Sequence, residues 1–526
     1  MKVDRVLPLL LGGGFVLFSA LFVLGYYQNH AGDFGQYAVQ ARNLALGRPW
    51  DYLVTGFPSV PPAYSFLLAV VAWFSGFNVY HFALLNSVLW AGCAIAAFHF
   101  FRDEFRHRAT AYVFLLAVLF TPLVIAFQQN GIPNILYAAT CLFALLAAKR
   151  LSEGPFRILL AACILLPALV RSEALALYAA LFLWFALRRQ WKLAALPVLG
   201  GVLLLVSDLL LSLNFNLVSN FRIVARLANL TGGTSAQATE FDLLRLLSGS
   251  AYMFLSYLSG FAEYFMTDPQ LQAQKIWAVP VGSGLVVRTG PVSLALVLLA
   301  AAGIAVHRKF LSLDKVFLVA HLALLSAVLL LRGVPGRYLL PILPIFIFYM
   351  VLAFERAWSL LRVPGPAVPA LTLAPIAFAF WFSIPTYMEA PARSNSLFSP
   401  RMDALARWVA ENRHDRPVAY YKGRLMTLLL DLHSDDPVQA LSVRHADRAE
   451  AVLRRNGLVV VRKFKRYGQP KLLESLQANP DAELVWEDSR HAVFAARLGP
   501  DGVPLAAARA AEAGPEDAED PEGDAD

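Results

Sequence analysis

The chain has 526 residues, 58% of them hydrophobic and only 16% charged, whereas a soluble globular protein carries about 25% charged residues. Mean hydropathy is +0.55, so the composition excludes a soluble enzyme and describes a polytopic membrane protein. The formal net charge of +8 is no footprint for nucleic acid, because most Lys and Arg sit in short connections between apolar runs, where they orient spans.

A bilayer core takes about 20 apolar residues per helix. Runs near that length include Val6 to Tyr27, Leu193 to Phe215, Leu285 to Val306 and, at the short end, Val316 to Leu331. The first is too long for a removed signal peptide and lacks a small-residue cleavage site, so it reads as an uncleaved span. Lys2 and Arg5 place the N-terminus in the cytoplasm. The first span then exits near Tyr27, and the stretch HAGDFGQYAVQARNLALGRPWDY (His30 to Tyr52) lies outside. Within it, Asp33 to Leu46 is amphipathic at helical spacing and suits a helix along the interface. Pro61 to Phe74 is a greasier second helix of the same kind; reading it as a span would invert every later loop.

Further along, basic clusters fall on one side by parity: Arg102, Arg106 and Arg108; Lys149, Arg150 and Arg157; Arg188, Arg189 and Lys192; His307, Arg308 and Lys309; Arg356 and Arg362. This pattern predicts about eleven transmembrane helices, in a range of about ten to thirteen. The last of these is near Ala367 to Ile384. The mixed segment from Asn216 to about Gly284 is left outside. Parity does not explain Arg42, Arg48, Arg171, Arg332 and Arg337, which sit at the outer surface with Asp33.

After the last span, a small extracytoplasmic α/β domain is predicted over 385–498. It has a helix at Met402 to Glu411, strands at Pro417 to Tyr421 and Leu458 to Phe464, and a hairpin of Glu483 to Glu487 with His491 to Arg497. The expected division is a transmembrane domain over 1–384, this α/β domain, and a disordered acidic tail over 499–526. Cys93, Cys141 and Cys163 lie in apolar runs with no metal-ligand spacing, which supports neither a disulfide framework nor a zinc site.

Asp33 has a plain reading as the N-cap of the interfacial helix, since its carboxylate accepts from free amides of the first turn. Arg337, in RGVPGRYLLPILPIFIFY, reads as a snorkelling anchor or as a bidentate ligand for a phosphate at headgroup depth. Arg171 and Glu173, in LVRSEAL, read as a local ion pair or as part of the same constellation. A carboxylate and several arginines gathered on one membrane face suit acid/base chemistry on a phosphorylated lipid.

The first outer loop with Asp33, then QYAVQARNLALGRPWDY and PPAYSFLLA, and the late GRYLLPILP together resemble the GT-C superfamily of membrane glycosyltransferases. Within it the pattern is similar to the family 39-like enzymes, the bacterial relatives of protein O-mannosyltransferases and of lipid A aminoarabinose transferases. The resemblance covers roughly residues 1 to 360. It implies an inverting transfer of a sugar from a polyprenyl-phosphate donor to a hydroxyl of a lipid, glycan or protein acceptor outside the bacterial inner membrane. It casts Asp33 as general base, and Arg337 and Tyr338 as donor phosphate-binding residues, with Arg171 as a further member. In two places the chain departs from the pattern. Phe34 stands where many relatives carry a second acid beside the aspartate, and the turn QQNGIPN has Gln129 and Asn130 where relatives often carry one. The sequence therefore does not support a divalent metal or any certain cofactor, and Glu173 is the reserve second carboxylate.

Two other classes stay open. A polytopic transporter would use the same charges as a substrate or proton path, although no internal repeat is present. A lipid-linked glycan polymerase or ligase needs the same outer arginines, and a non-catalytic envelope scaffold would work through its outer domain.

Overall fold

The computed structural model describes residues 3–23, 34–54, 60–121, 133–212, 277–281, 284–288, 291–309, 311–328, 336–388, 400–434, 436–443, 446–463 and 469–501, with a few isolated positions besides. The chain is mostly helical and divides into two compact units. One comprises Met1–Asn29, Pro58–Tyr64 and Ser75–Ser394; the other comprises His30–Phe57, Ser65–Phe74 and Asn395–Asp526.

Among the described residues, the helices up to the mixed segment are, in chain order, α1 (Val3–Phe18), α2 (Phe34–Ala45), α3 (Pro62–Ser75), α4 (Val79–Phe101), α5 (Arg108–Leu119), α6 (Asn134–Glu153), α7 (Ile158–Leu165), α8 (Ala174–Leu187) and α9 (Trp191–Ser212). A hairpin of β1 (Trp277–Val281) and β2 (Gly284–Arg288) follows, and then α10 (Pro291–Val306), α11 (Leu313–Val328), α12 (Leu343–Leu360) and α13 (Ala367–Met388). Among the described residues, three helices are long and apolar enough to cross a membrane: Tyr80–Glu104, Asn134–Glu153 and Leu343–Leu360.

The starts of these helices are written locally. Asn78 caps α4, its side chain accepting from the Tyr80 N–H at 2.9 Å. Pro62 opens α3 and Pro344 sits in the first turn of α12, where a missing N–H costs nothing. The apolar run from Leu285 does not begin as a span. Its first residues pair with Trp277–Val281 as an antiparallel strand, and the helix starts only at Pro291. The β-branched pair Val286–Val287 favours the strand, and the missing N–H of Pro291 suits a helix start.

In the first unit α4 packs on α6, α10 on α12, and α8 on α9. The α4–α5 contact is pinned by the fully buried Trp90, whose Nε1 donates to the Val118 carbonyl at 3.0 Å. Phe101 stacks on Phe348 with ring centroids 4.0 Å apart, which joins α4 to α12. The connections are tied by carboxylates. Glu355, fully buried on α12, accepts the backbone N–H groups of Arg106 and His107 at 3.0 and 2.8 Å, satisfying the entry to α5. Glu104 pairs with Lys309.

The second unit contains α14 (Pro400–Asn412), β3 (Val418–Tyr420), α15 (Gly423–His433), β4 (Leu441–Ser442), α16 (Ala446–Arg454), β5 (Leu458–Arg462), α17 (Gln469–Ala478), β6 (Ala482–Glu487) and β7 (His491–Ala496). The sheet runs β4-β3-β5-β7-β6. β3 is parallel to β4 and β5, while β7 is antiparallel to β5 and β6. β5 and β7 are buried almost throughout, as strands covered on both faces must be. The core gathers Val459, Val461, Phe494, Leu453 and Leu472 from β5, β7, α16 and α17.

Candidate functional site

In the first unit the 3₁₀ turn Gly336–Leu339 leads into α12. Arg337 lies in this turn, with its side chain outside the described residues; Tyr338 follows it. The Tyr338 carbonyl lies 3.0 Å from Nε2 of His321, a fully buried histidine on α11. A carbonyl only accepts, so Nε2 carries the proton and the imidazole holds the main chain of the turn.

The Tyr338 ring lies beneath a cation. The Arg171 Cζ is 5.1 Å from its centroid, a cation–π contact worth about 0.5–2 kcal/mol. Arg171 sits in the short connection between the Leu166–Leu169 turn and α8. Its fork is held by Glu173, to which Nε and Nη2 donate at 2.9 and 2.7 Å. Nη1 donates to Asn134 Oδ1 at 3.1 Å, at the start of α6. Both members of the ion pair have side chains only 17% exposed. Burial pushes the Glu173 carboxyl up, but the charge and hydrogen bonds of Arg171 outweigh it and hold the group below the usual range. Glu173 is therefore an anion at neutral pH, and its bidentate grip fixes the plane of the guanidinium that covers Tyr338.

Of the sequence candidates, the structure thus brings together Arg171, Glu173 and Tyr338, and puts Arg337 in the turn that this cluster holds. The local Arg171–Glu173 pair forms. Asp33 lies outside the described residues; α2 begins at the next position. Arg332 also lies outside them. Sequence reasoning missed His321 and Asn134. The signal for His321 was present, an ionisable side chain inside the apolar run VFLVAHLALL. Among the described residues no group of three or more His, Cys, Asp or Glu side chains is placed to hold a metal.

The arginines that topology left unexplained in the first loop have a partner in the second unit. Arg42 Nε and Arg48 Nη1 reach the two carboxylate oxygens of Asp431 at 2.8 and 2.6 Å. The Asp431 side chain is fully buried between them. These two arginines are spent on α15.

No family model and no curated protein matches the chain. Among solved structures it resembles ArnT from Cupriavidus metallidurans bound to undecaprenyl phosphate, with a TM-score of 0.54 and 14% identity over 93% of this chain and 97% of that one. The apo state of the same protein gives a TM-score of 0.54 and 13% identity over the same shares. An oligosaccharyltransferase from Archaeoglobus fulgidus, solved with Zn and sulfate, gives 0.49 and 11% identity over 86% of this chain and 68% of that one. At such identities the likeness to ArnT is one of fold.

Proposed function

We propose, for a multi-pass membrane chain whose fold is that of the GT-C superfamily, an integral membrane glycosyltransferase. It moves a sugar from a polyprenyl-phosphate donor to a hydroxyl of a lipid, glycan or protein on the extracytoplasmic face of the bacterial inner membrane. The observation that carries this reading is the end-to-end likeness to ArnT, solved with undecaprenyl phosphate bound. The Arg171–Tyr338 cluster supports it, because it holds the turn that bears Arg337.

In this reading about eleven spans put the N-terminus in the cytoplasm and residues 385–498 outside. Residues 1–384 form the transmembrane domain and 499–526 an acidic tail. α2 and α3 lie along the outer interface. The exposed Trp73 and Phe74 of α3 fit that depth, where aromatic rings are favoured.

The step balances as a single displacement. Asp33 takes the proton of the acceptor hydroxyl as its oxygen bonds to the anomeric carbon. The bond from that carbon to the phosphate oxygen breaks on the opposite face, and the polyprenyl phosphate leaves with the electron pair. Configuration inverts. Arg337, with Tyr338 beside it, meets the charge that develops on the leaving phosphate, the point where a preorganised cation lowers the barrier most. Arg171 enters as a phosphate ligand once part of its fork turns from Glu173. A lone carboxylate is a weak base, so orientation of the acceptor supplies much of the rate. Glu173, already committed to Arg171, is the reserve carboxylate.

Purified protein in lipid nanodiscs, given radiolabelled polyprenyl-phosphate sugars and an envelope extract, is expected to form a covalent glycosylated product. Flux of a solute across sealed vesicles with no covalent product would instead establish a transporter.

A further inference from the structure

The second unit pairs two parts of the chain that the sequence separates by 389 residues. α2 packs along α15. At its first turn Gly35 lies against the Arg424 backbone, so closely that a Cβ there would come 2.4 Å from the Arg424 carbonyl oxygen. At its far end Arg42 grips Asp431. The two contacts are the same number of residues apart on each helix, so α2 and α15 run parallel and in register over about two turns, roughly 10 Å.

Apolar contact alone does not set that register. Phe34, Ala38 and Val39 are fully buried, but so, to within a few per cent, are Gln36, Gln40 and Asn43. Gln40 Oε1 accepts from Ser65 Oγ of α3 at 3.1 Å, and Asn43 Nδ2 donates to the Tyr52 carbonyl at 2.7 Å, closing the segment that follows α2. Asp431 adds a charged lock, with one carboxylate receiving two guanidinium groups from two directions. Buried ion pairs of this kind serve register better than net stability.

We infer that Asp431 is a positioning residue for the transfer reaction: through Arg42 and Arg48 it fixes the rotation and register on α15 of α2, the helix that directly follows Asp33 in the sequence. The inference rests on the glycosyltransferase reading with Asp33 as base. It gives the C-terminal α/β domain a catalytic duty, as the platform on which α2 is seated.

The test uses the full chain in lipid nanodiscs with a polyprenyl-phosphate sugar donor. Asp431→Asn keeps the shape and removes the charge that both arginines grip. Because misplacement by about 1 Å costs up to about 100-fold in rate, kcat should fall about tenfold or more, while the KM for the donor stays within about twofold. Arg48→Gln leaves the Arg42 contact and should give a smaller drop in kcat with the same unchanged donor KM. If Asp431→Asn does not fold, Arg48→Gln decides. Wild-type kcat in the folded variants, or a donor KM that rises in step with the fall in kcat, overturns the inference and leaves the enzyme reading standing. A wild-type protein that transfers no sugar overturns both.

Discussion

Replacing His321 tests whether the turn bearing Arg337 is held from behind. In His321→Leu the Tyr338 carbonyl loses the N–H that reaches it at 3.0 Å. Leaving a part-buried acceptor unsatisfied costs about 1–3 kcal/mol. Only the share of that cost that loosens the Gly336–Leu339 turn is felt by the donor phosphate. Taking about half, roughly 0.5–1.5 kcal/mol, the KM for the polyprenyl-phosphate donor should rise about two- to twelvefold, since 1.4 kcal/mol is a factor of ten. His321→Gln can restore a donor near Nε2 and should recover most of the loss. The assay is a donor titration at saturating acceptor, with the thermal midpoint of each purified variant measured alongside. A donor KM within twofold of wild type in His321→Leu, with only the midpoint lowered, would refute the reasoning and leave His321 a packing residue.

Glu173→Gln removes the anion that grips Arg171; losing a charge-assisted hydrogen-bonded contact in a part-buried site costs about 1.5–3 kcal/mol, so a drop in thermal midpoint is expected. Transfer in the folded variant should stay within about tenfold of wild type if Asp33, as proposed, is the base; a loss of about 100-fold or more would move that role from Asp33 to Glu173. Gly303→Ala places a Cβ 1.9 Å from the Tyr349 carbonyl oxygen, where α10 meets α12, and should destabilise the helical unit by about 1–3 kcal/mol; an unchanged midpoint in detergent would contradict this packing. His491, buried at the start of β7, has its pKa lowered to about 4, chiefly by burial. The folded state therefore binds fewer protons than the unfolded one. Its contribution is complete above about pH 6.5 and is lost as pH falls toward 4, about 3 kcal/mol in all. The protection factors of the β7 amides in the full chain, corrected for the intrinsic exchange rate at each pH, should fall as pH drops across that window, and in His491→Phe the response should flatten.

How much was legible in the sequence depended on how local the cause was. The β6–β7 hairpin, β3, β5 and α14 are carried by short-range alternation and periodicity, and they form within a residue or two of where the pattern puts them. α2 and α3 likewise span the residues that helical spacing and Pro62 mark, but α2 buries Gln36, Gln40 and Asn43, the face that amphipathic spacing leaves to water. α15 was missed although Arg424, Thr427 and Asp431 recur at helical spacing in GRLMTLLLDLH; the segment is short, and one of the helices that covers it comes from hundreds of residues away. The same distance hid the role of Arg42 and Arg48. The positive-inside rule showed that topology did not need them, but their partner Asp431 is 383 residues from Arg48. At the candidate site, Arg171 and Glu173 are near neighbours and read together. His321 reaches Tyr338 across a helix boundary, and only its charge type in an apolar run gave notice.

The proposed reaction transfers a sugar with Asp33 as the base. Its most direct measurement is the transfer rate of purified Asp33→Asn in nanodiscs, beside wild type, at saturating polyprenyl-phosphate donor. A positioned general base contributes about 100- to 10,000-fold, so the variant should bind the donor lipid with wild-type affinity and lose transfer by about 100-fold or more. An Asp33→Asn protein that folds, binds donor and transfers sugar at the wild-type rate would contradict the account.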